Sequence, residues 1–276
     1  MFSAERFTGL NPGESRSVQA VAVADGDNPV VGAAMQRQAH VKGVLRDIGD
    51  ASGLERRLGW LDPDQLPPFW LSSASAVNGT RTGAALRRIA DILLSLCLLL
   101  FTLPLMIATA AAVRFDSPGP ILYRQQRVGL GGAVFTVFKF RSMVADAEAA
   151  TGPAWATRRD PRVTRVGYYI RLTRIDELPQ LINVLRGDMS FIGPRPERPN
   201  FVETLGHLIP HYLDRHVIKP GLTGWAQVNY AYGASVDDAR AKLAFDLYYI
   251  MHRGVLLDIR ILLATVRVIL FREGAR

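Results

Sequence analysis

Between Ile92 and Val113 the chain runs for 22 residues without a charge. A helix of that length is long enough to cross the hydrocarbon layer of a bilayer. Pro104 lies just past the middle of the run and removes a backbone hydrogen bond there. Both flanks are basic, with Arg81, Arg87 and Arg88 before the run and Arg114, Arg124 and Arg127 after it. Basic flanks favour the cytoplasmic side of a membrane. A single crossing satisfies only one flank. A helix over about 87–114 that bends at Leu103-Pro104 and returns to the same face satisfies both, and the charges favour it. Ser95, Thr102 and Thr109 can cover the backbone groups freed at the bend.

The charge distribution agrees with such a seat. The first 80 residues hold 7 Lys+Arg against 9 Asp+Glu, a net of −2, so the remainder holds 26 against 16 and carries +10 of a chain total of +8. That basic part also contains every long apolar run, a combination suited to an anionic membrane surface or a phosphorylated substrate rather than to nucleic acid. No nucleic-acid recognition motif is present. The single cysteine, Cys97, excludes a disulfide framework and a zinc site and fits the reducing cytosol. No apolar core follows the N-terminal Met-Phe-Ser-Ala-Glu-Arg, so no signal peptide is expected.

Residues 1–40 are rich in Gly, Ala, Ser, Gln and Asp without periodicity and are expected to be mostly disordered. Residues 41–80 can form at most a short helix and a loop broken by Pro63, Pro67 and Pro68, so 1–80 is read as a weakly ordered extension before a domain over 81–276. Ile121–Gln126 and Ala133–Phe140 flank the glycines of 129–132, a β-hairpin pattern. These glycines lack the strand–loop–helix context and the Lys-Ser/Thr of a phosphate loop, so they are read as the turn. Lys139 and Arg141 alternate with aromatics and are expected on one strand face. Helices are expected over 142–150, 163–173, 200–216 and 236–251. Residues 191–199, with three prolines and a glycine, read as a stiff loop able to hold Arg195 at little ordering cost. Val255 to Phe271 is apolar but interrupted by Asp258, Arg260 and Arg267, which suits an interfacial helix. The class is α+β, mostly helical.

Chemistry is concentrated in Arg174-Ile-Asp-Glu-Leu-Pro-Gln180. Proline is tolerated in a first helical turn, so Pro179 predicts a helix starting near Asp176. That places Asp176 and Glu177 at the positive end of a helix dipole, which favours ionised Asp176. Arg171, Arg174, Arg186 and Arg195 lie nearby in sequence. Carboxylates beside arginines point to phosphoryl chemistry with Mg²⁺, although alone the pair could be a helix cap with surface ion pairs.

Taken together, the basic-flanked run with Pro104, KFRSM (139–143), RIDELPQLINVLRGDMSFIGPRPERP (174–199) and KPGLTGWAQVNY (219–230) resemble the bacterial sugar transferases, the monotopic polyprenyl-phosphate phosphoglycosyl transferases. The resemblance covers nearly all of 81–276. It implies a monotopic protein of the inner (cytoplasmic) membrane with a re-entrant, proline-bent helix, a small β-hairpin, interfacial helices and a site facing the cytosol. It implies transfer of a sugar-1-phosphate from a UDP-sugar to undecaprenyl phosphate with release of UMP, as the first membrane step of exopolysaccharide synthesis. UDP-glucose or UDP-galactose is the favoured donor. Asp176 would be the nucleophile that forms a covalent phosphosugar intermediate. Glu177 would share Mg²⁺ with it or assist proton transfer, and Lys139, Arg141, Arg171, Arg174 and Arg195 would contact phosphate. The partners implied are the donor, the lipid phosphate and the bilayer, with room for a homodimer. Two departures stand out. Residues 1–80 lack the several spanning helices and further domain of longer members, and Leu103 stands where minimal members often have serine before the kink proline. A non-catalytic membrane adaptor is the competing reading, but it has no need of Asp176, Glu177 and Arg195.

Overall fold

The computed structural model describes residues 59–74, 79–145, 147, 160–230, 233 and 235–270. The expected disorder of 1–40 and most of the polar loop over 151–161 lie outside them. The apolar run forms most of helix α1, Arg81–Asp116, started by Thr80, whose Oγ1 accepts from the Gly83 amide (3.1 Å). Strands β1 (Leu122–Val128) and β2 (Val134–Phe140) form the expected antiparallel hairpin, with Arg124 opposite Phe138 and Tyr123 opposite Lys139. Helix α2 (Arg165–Leu172) is capped by Thr164. A 3₁₀ turn over Ile175–Glu177 leads into α3 (Gln180–Arg186). Strand β3 (Ser190–Ile192) and α4 (Pro199–Leu208) follow, then a 3₁₀ turn over Tyr212–Val217 and strand β4 (Gly221–Thr223). Three helices complete the described chain: α5 (Trp225–Asn229), α6 (Val236–His252) and α7 (Val255–Leu270). The α6 start carries a reciprocal capping box between Ser235 and Asp238.

Several sequence expectations change. Ser142–Ala145 is not helical, because Met143 bridges Val163 instead. The helix expected over 200–216 is interrupted after Leu208, since Pro210 cannot donate within it and His211 adopts φ 60°. The stiff stretch after residue 190 starts as β3, which pairs in parallel with β4. Residues 59–74, assigned above to the extension, contribute Trp60, Leu61, Trp70 and Ala74 to the core, so the boundary at 81 is too late.

The core lies between α3, β3, α4 and α6, around Leu181, Val184, Met189, Ile209, Leu247 and Ile250. The two short strands meet so closely that glycine is required. A Cβ on Gly193 would lie 2.4 Å from the Lys219 carbonyl oxygen, and one on Gly221 would lie 2.1 Å from the Gly193 amide nitrogen. Both are backbone atoms with little room to yield. Gly193→Ala is therefore expected to cost about 1–3 kcal/mol through overpacking, read as a lower thermal unfolding midpoint.

Helix α1 inverts the pattern of a soluble helix. Its buried residues include Asp91, Ser95 and Thr109, while Leu100 and Phe101 are 76% and 82% exposed. Both of its ends are tied to the same globular body. Near the N-terminal end, Arg88 donates to the Val184 and Leu185 carbonyls, each at 2.6 Å, and so caps the C-terminus of α3. Asp91 accepts from Ser190 Oγ and the Phe191 amide (2.8 Å). At the other end Asp116 accepts from the Val166 amide (3.1 Å), and Val113 packs on Phe140 and Ile170. The helix continues through Pro104. Thr102 and Thr109 each donate to the carbonyl four residues back, which adds hydrogen bonds on both sides of the proline.

Candidate active site

Three segments converge on Glu177. The 3₁₀ turn supplies the carboxylate, β2 supplies Lys139, and the Gly193-Pro-Arg-Pro loop supplies Arg195. Lys139 Nζ lies 3.0 Å from Glu177 Oε1. Arg195 grips the same carboxylate with both ends of its guanidinium, Nη2 on Oε1 and Nη1 on Oε2 at 3.2 Å. Burial alone would raise the Glu177 pKa, but Arg195 and Lys139 outweigh it and hold the group well below the usual carboxylate range. Glu177 in turn raises the Arg195 pKa above its ordinary value, while burial lowers that of Lys139.

Asp176 is different. It is also buried, yet no hydrogen bond or ion pair engages its carboxylate among the described residues. Burial, and then the Glu177 charge, push its pKa up to about 6, against the pull of Lys139, Arg171 and Arg174. The expectation that a helix dipole favours ionised Asp176 is thus corrected. The α-helix proper starts only at Gln180, and Pro179 occupies its cap rather than its first turn. Desolvation and the like-charged neighbour dominate instead. The free chain is expected to lose kcat/KM about tenfold per pH unit below about pH 6 if ionised Asp176 is the attacking group. A pH–rate profile checks this.

Of the expected phosphate contacts, Lys139 and Arg195 are in the centre. Arg174, held at φ 60° immediately before the turn, and Arg171, in the last turn of α2, lie close enough to act on the Asp176 charge. Arg141 is elsewhere. It is buried and donates to the carbonyls of Pro120 (2.6 Å), Val113 (3.1 Å) and Ser117 (2.6 Å), closing the C-terminal end of α1. Strand alternation failed there because β2 ends at Phe140, one residue earlier.

Two features of the centre escaped sequence reasoning. Asn183 ties α3 to β2: its Oδ1 accepts from the Phe138 amide (3.1 Å) and its Nδ2 donates to the Thr136 carbonyl (2.7 Å). This sets β2, and with it Lys139, against the acidic turn. Behind Arg195, the buried Arg215 Nη2 donates to the Arg195 carbonyl (3.0 Å) and to Asp246 Oδ2 (2.7 Å). Nothing in the local sequence signals either partnership, because the paired residues are far apart along the chain.

Among the described residues no group of three or more His, Cys, Asp or Glu side chains could form a metal cage. Magnesium held partly by substrate phosphates needs only one or two carboxylates. Asp176 fits that role. Glu177, with both oxygens engaged by cations, does not fit as its second ligand in this arrangement.

A family model for bacterial sugar transferases matches residues 82–272. A UDP-N-acetylgalactosamine-undecaprenyl-phosphate N-acetylgalactosaminephosphotransferase of Aeromonas hydrophila is 48% identical over 193 residues, covering 70% of this chain and 45% of that protein. A UDP-glucose:undecaprenyl-phosphate glucose-1-phosphate transferase of Escherichia coli (strain K12) is 40% identical over 225 residues, 81% of this chain and 47% of that protein. The exopolysaccharide production protein PSS of Rhizobium leguminosarum bv. phaseoli is 41% identical over 186 residues, 66% of this chain and 93% of that protein. The chain spans about half the length of the first two.

Proposed function

The chain belongs to the bacterial sugar transferase family, and on that premise we propose that it transfers a sugar-1-phosphate from a UDP-sugar to undecaprenyl phosphate, releasing UMP. The observation that carries this reading is the division of labour in the acidic pair. Glu177 is saturated by Lys139 and Arg195, whereas among the described residues no hydrogen bond or ion pair engages the buried Asp176 carboxylate beside it.

An Asp176 carboxylate oxygen attacks the phosphorus that bears the sugar. The bond from that phosphorus to the UMP oxygen breaks, and an aspartyl-phosphosugar forms. A phosphate oxygen of undecaprenyl phosphate then attacks the same phosphorus, the aspartyl–phosphorus bond breaks, and the carboxylate is regenerated. Both attacks bring an anion to an anionic centre. Lys139, Arg195, Arg171 and Arg174 supply fixed positive charge around that path without reorganisation. Mg²⁺, held by Asp176 and the donor phosphates, would neutralise the diphosphate and ease departure of UMP.

Helix α1 supports the membrane seat proposed for the chain. Its apolar middle faces outward and both its ends are tied to one body, which supports a helix that enters and leaves the bilayer on the catalytic side, bent at Leu103-Pro104. That side is the cytosolic face of the inner membrane, where nucleotide sugars occur. The relatives' names divide between glucose and N-acetylgalactosamine, so the donors proposed are UDP-glucose, UDP-galactose and UDP-N-acetylgalactosamine. The name of the Rhizobium relative supports a role in exopolysaccharide production. The test is UMP release from each donor with Mg²⁺, with and without undecaprenyl phosphate. One UMP per chain is expected without acceptor, and sustained release with it. No release from any donor would overturn the reading.

A further inference from the structure

A second basic feature lies behind the catalytic strand. Leu122, Arg124, Thr136 and Phe138 share one face of the hairpin, since Arg124 opposes Phe138 across the strands and Leu122 and Thr136 are each two residues away. Lys139, next in β2, points to the opposite face, toward Glu177. Ile182 and Arg186, one turn apart on α3, close the other wall. Together these six residues line a groove of about 450 Å³. Its floor is the Phe138 ring, with the Arg186 guanidinium 4.9 Å and the Arg124 guanidinium 6.0 Å from its centroid. Both arginines are exposed, and among the described residues neither has an acidic partner. Two exposed cations over one apolar floor complement an anion that carries an apolar body.

The groove also touches both ends of the uncharged run. Arg88, four residues before Ile92, caps the α3 carbonyls of Val184 and Leu185, immediately before Arg186. Leu122 packs with the Val113–Phe140–Ile170 cluster, together with Met106 and Ala110. If α1 sits in the bilayer as read above, the groove lies where the headgroups are. The inference rests on that seating but not on the transfer chemistry.

We propose that this groove holds the headgroup of an anionic phospholipid, with its phosphate between Arg124 and Arg186 and its apolar part along Leu122, Phe138 and Ile182. The occupant is a resident lipid rather than the acceptor. A phosphate bound here faces away from Asp176 across β2 and cannot attack the phosphosugar. Two arginines at an anionic surface contribute about a 30-fold preference.

Native mass spectrometry of the full chain released from nanodiscs of equal phosphatidylglycerol and phosphatidylcholine tests this. The wild type is expected to retain one phosphatidylglycerol preferentially, and the double variant Arg124→Gln/Arg186→Gln to lose that preference. UMP release and the thermal midpoint of the variant should be unchanged, since both side chains are exposed and outside the catalytic centre. Equal phosphatidylglycerol retention by the variant overturns the proposal. So does displacement of the lipid by soluble glycerol phosphate, which would mark a site for free phosphate, or by equimolar undecaprenyl phosphate, which would mark an acceptor site. Loss of UMP release with lipid retained would also overturn it. Absence of UMP release by the wild type, with lipid preference intact, counts against the enzymatic reading alone.

Discussion

Asp176→Asn is expected to lower turnover by on the order of 10⁴-fold or more, the scale of removing a covalent nucleophile, while membrane association persists. Incubation with a donor labelled in the sugar should leave a phosphosugar on the wild-type chain and none on the variant. The same substitution has an opposite effect on stability, which separates chemistry from folding. Because the folded state raises the Asp176 pKa to about 6 from 3.8, folded chains bind its proton more tightly than unfolded ones. Its contribution is therefore favourable at low pH and is lost as pH rises from about 4 to about 6. At neutral pH the ionised side chain is a burden on the fold, and asparagine removes it. The variant should unfold at a higher temperature than the wild type at pH 7.5, and the difference should shrink toward pH 4. A variant that is less stable at pH 7.5, or that retains turnover, contradicts the assignment of Asp176.

Asp246→Ala carries the second large effect. Asp246 and Arg215 are both buried, 2.7 Å apart, and Arg215 also donates to the Tyr212 hydroxyl (2.9 Å) and the Arg195 carbonyl. Removing the acid leaves a buried guanidinium without its counter-charge, which costs about 3–5 kcal/mol. For a domain of this size that lowers the thermal midpoint by on the order of 10 °C. The consequence reaches the active site through the Arg195 carbonyl. With the loop loosened, Arg195 holds Glu177 less firmly, and turnover should fall even at temperatures where the variant is folded. Scanning fluorimetry and UMP release on one preparation check both effects. Burial pushes the Asp246 pKa up to about 6, opposed by Arg215. Burial thus makes ionised Asp246 costly at neutral pH, and Arg215 relieves part of that cost.

How far the centre could be read in advance differs by residue. Asp176 and Glu177 were legible because adjacent carboxylates before a proline form a local pattern, and Arg195 because prolines stiffen the segment that carries it. The hairpin followed from alternation around a glycine turn. Arg141 was misassigned although it lies only two residues from Lys139. One peptide beyond the strand, its side chain found the open carbonyls at the end of α1 instead of the site. Asp246 and Arg215 carried no signal, being 31 residues apart with nothing local to join them.

Local order therefore determined the greasy helix, its basic margins, the hairpin and the presence of an acidic pair. Folding settled which cation meets which acid: Lys139, from 38 residues upstream, and Arg195, from 18 downstream, both fall on Glu177, and among the described residues none pairs with Asp176. The reason is physical. Periodicity along a chain reports which face of an element is buried. The charge state and partners of a buried polar group depend on desolvation and on groups delivered by distant segments, and these exist only after the segments have packed.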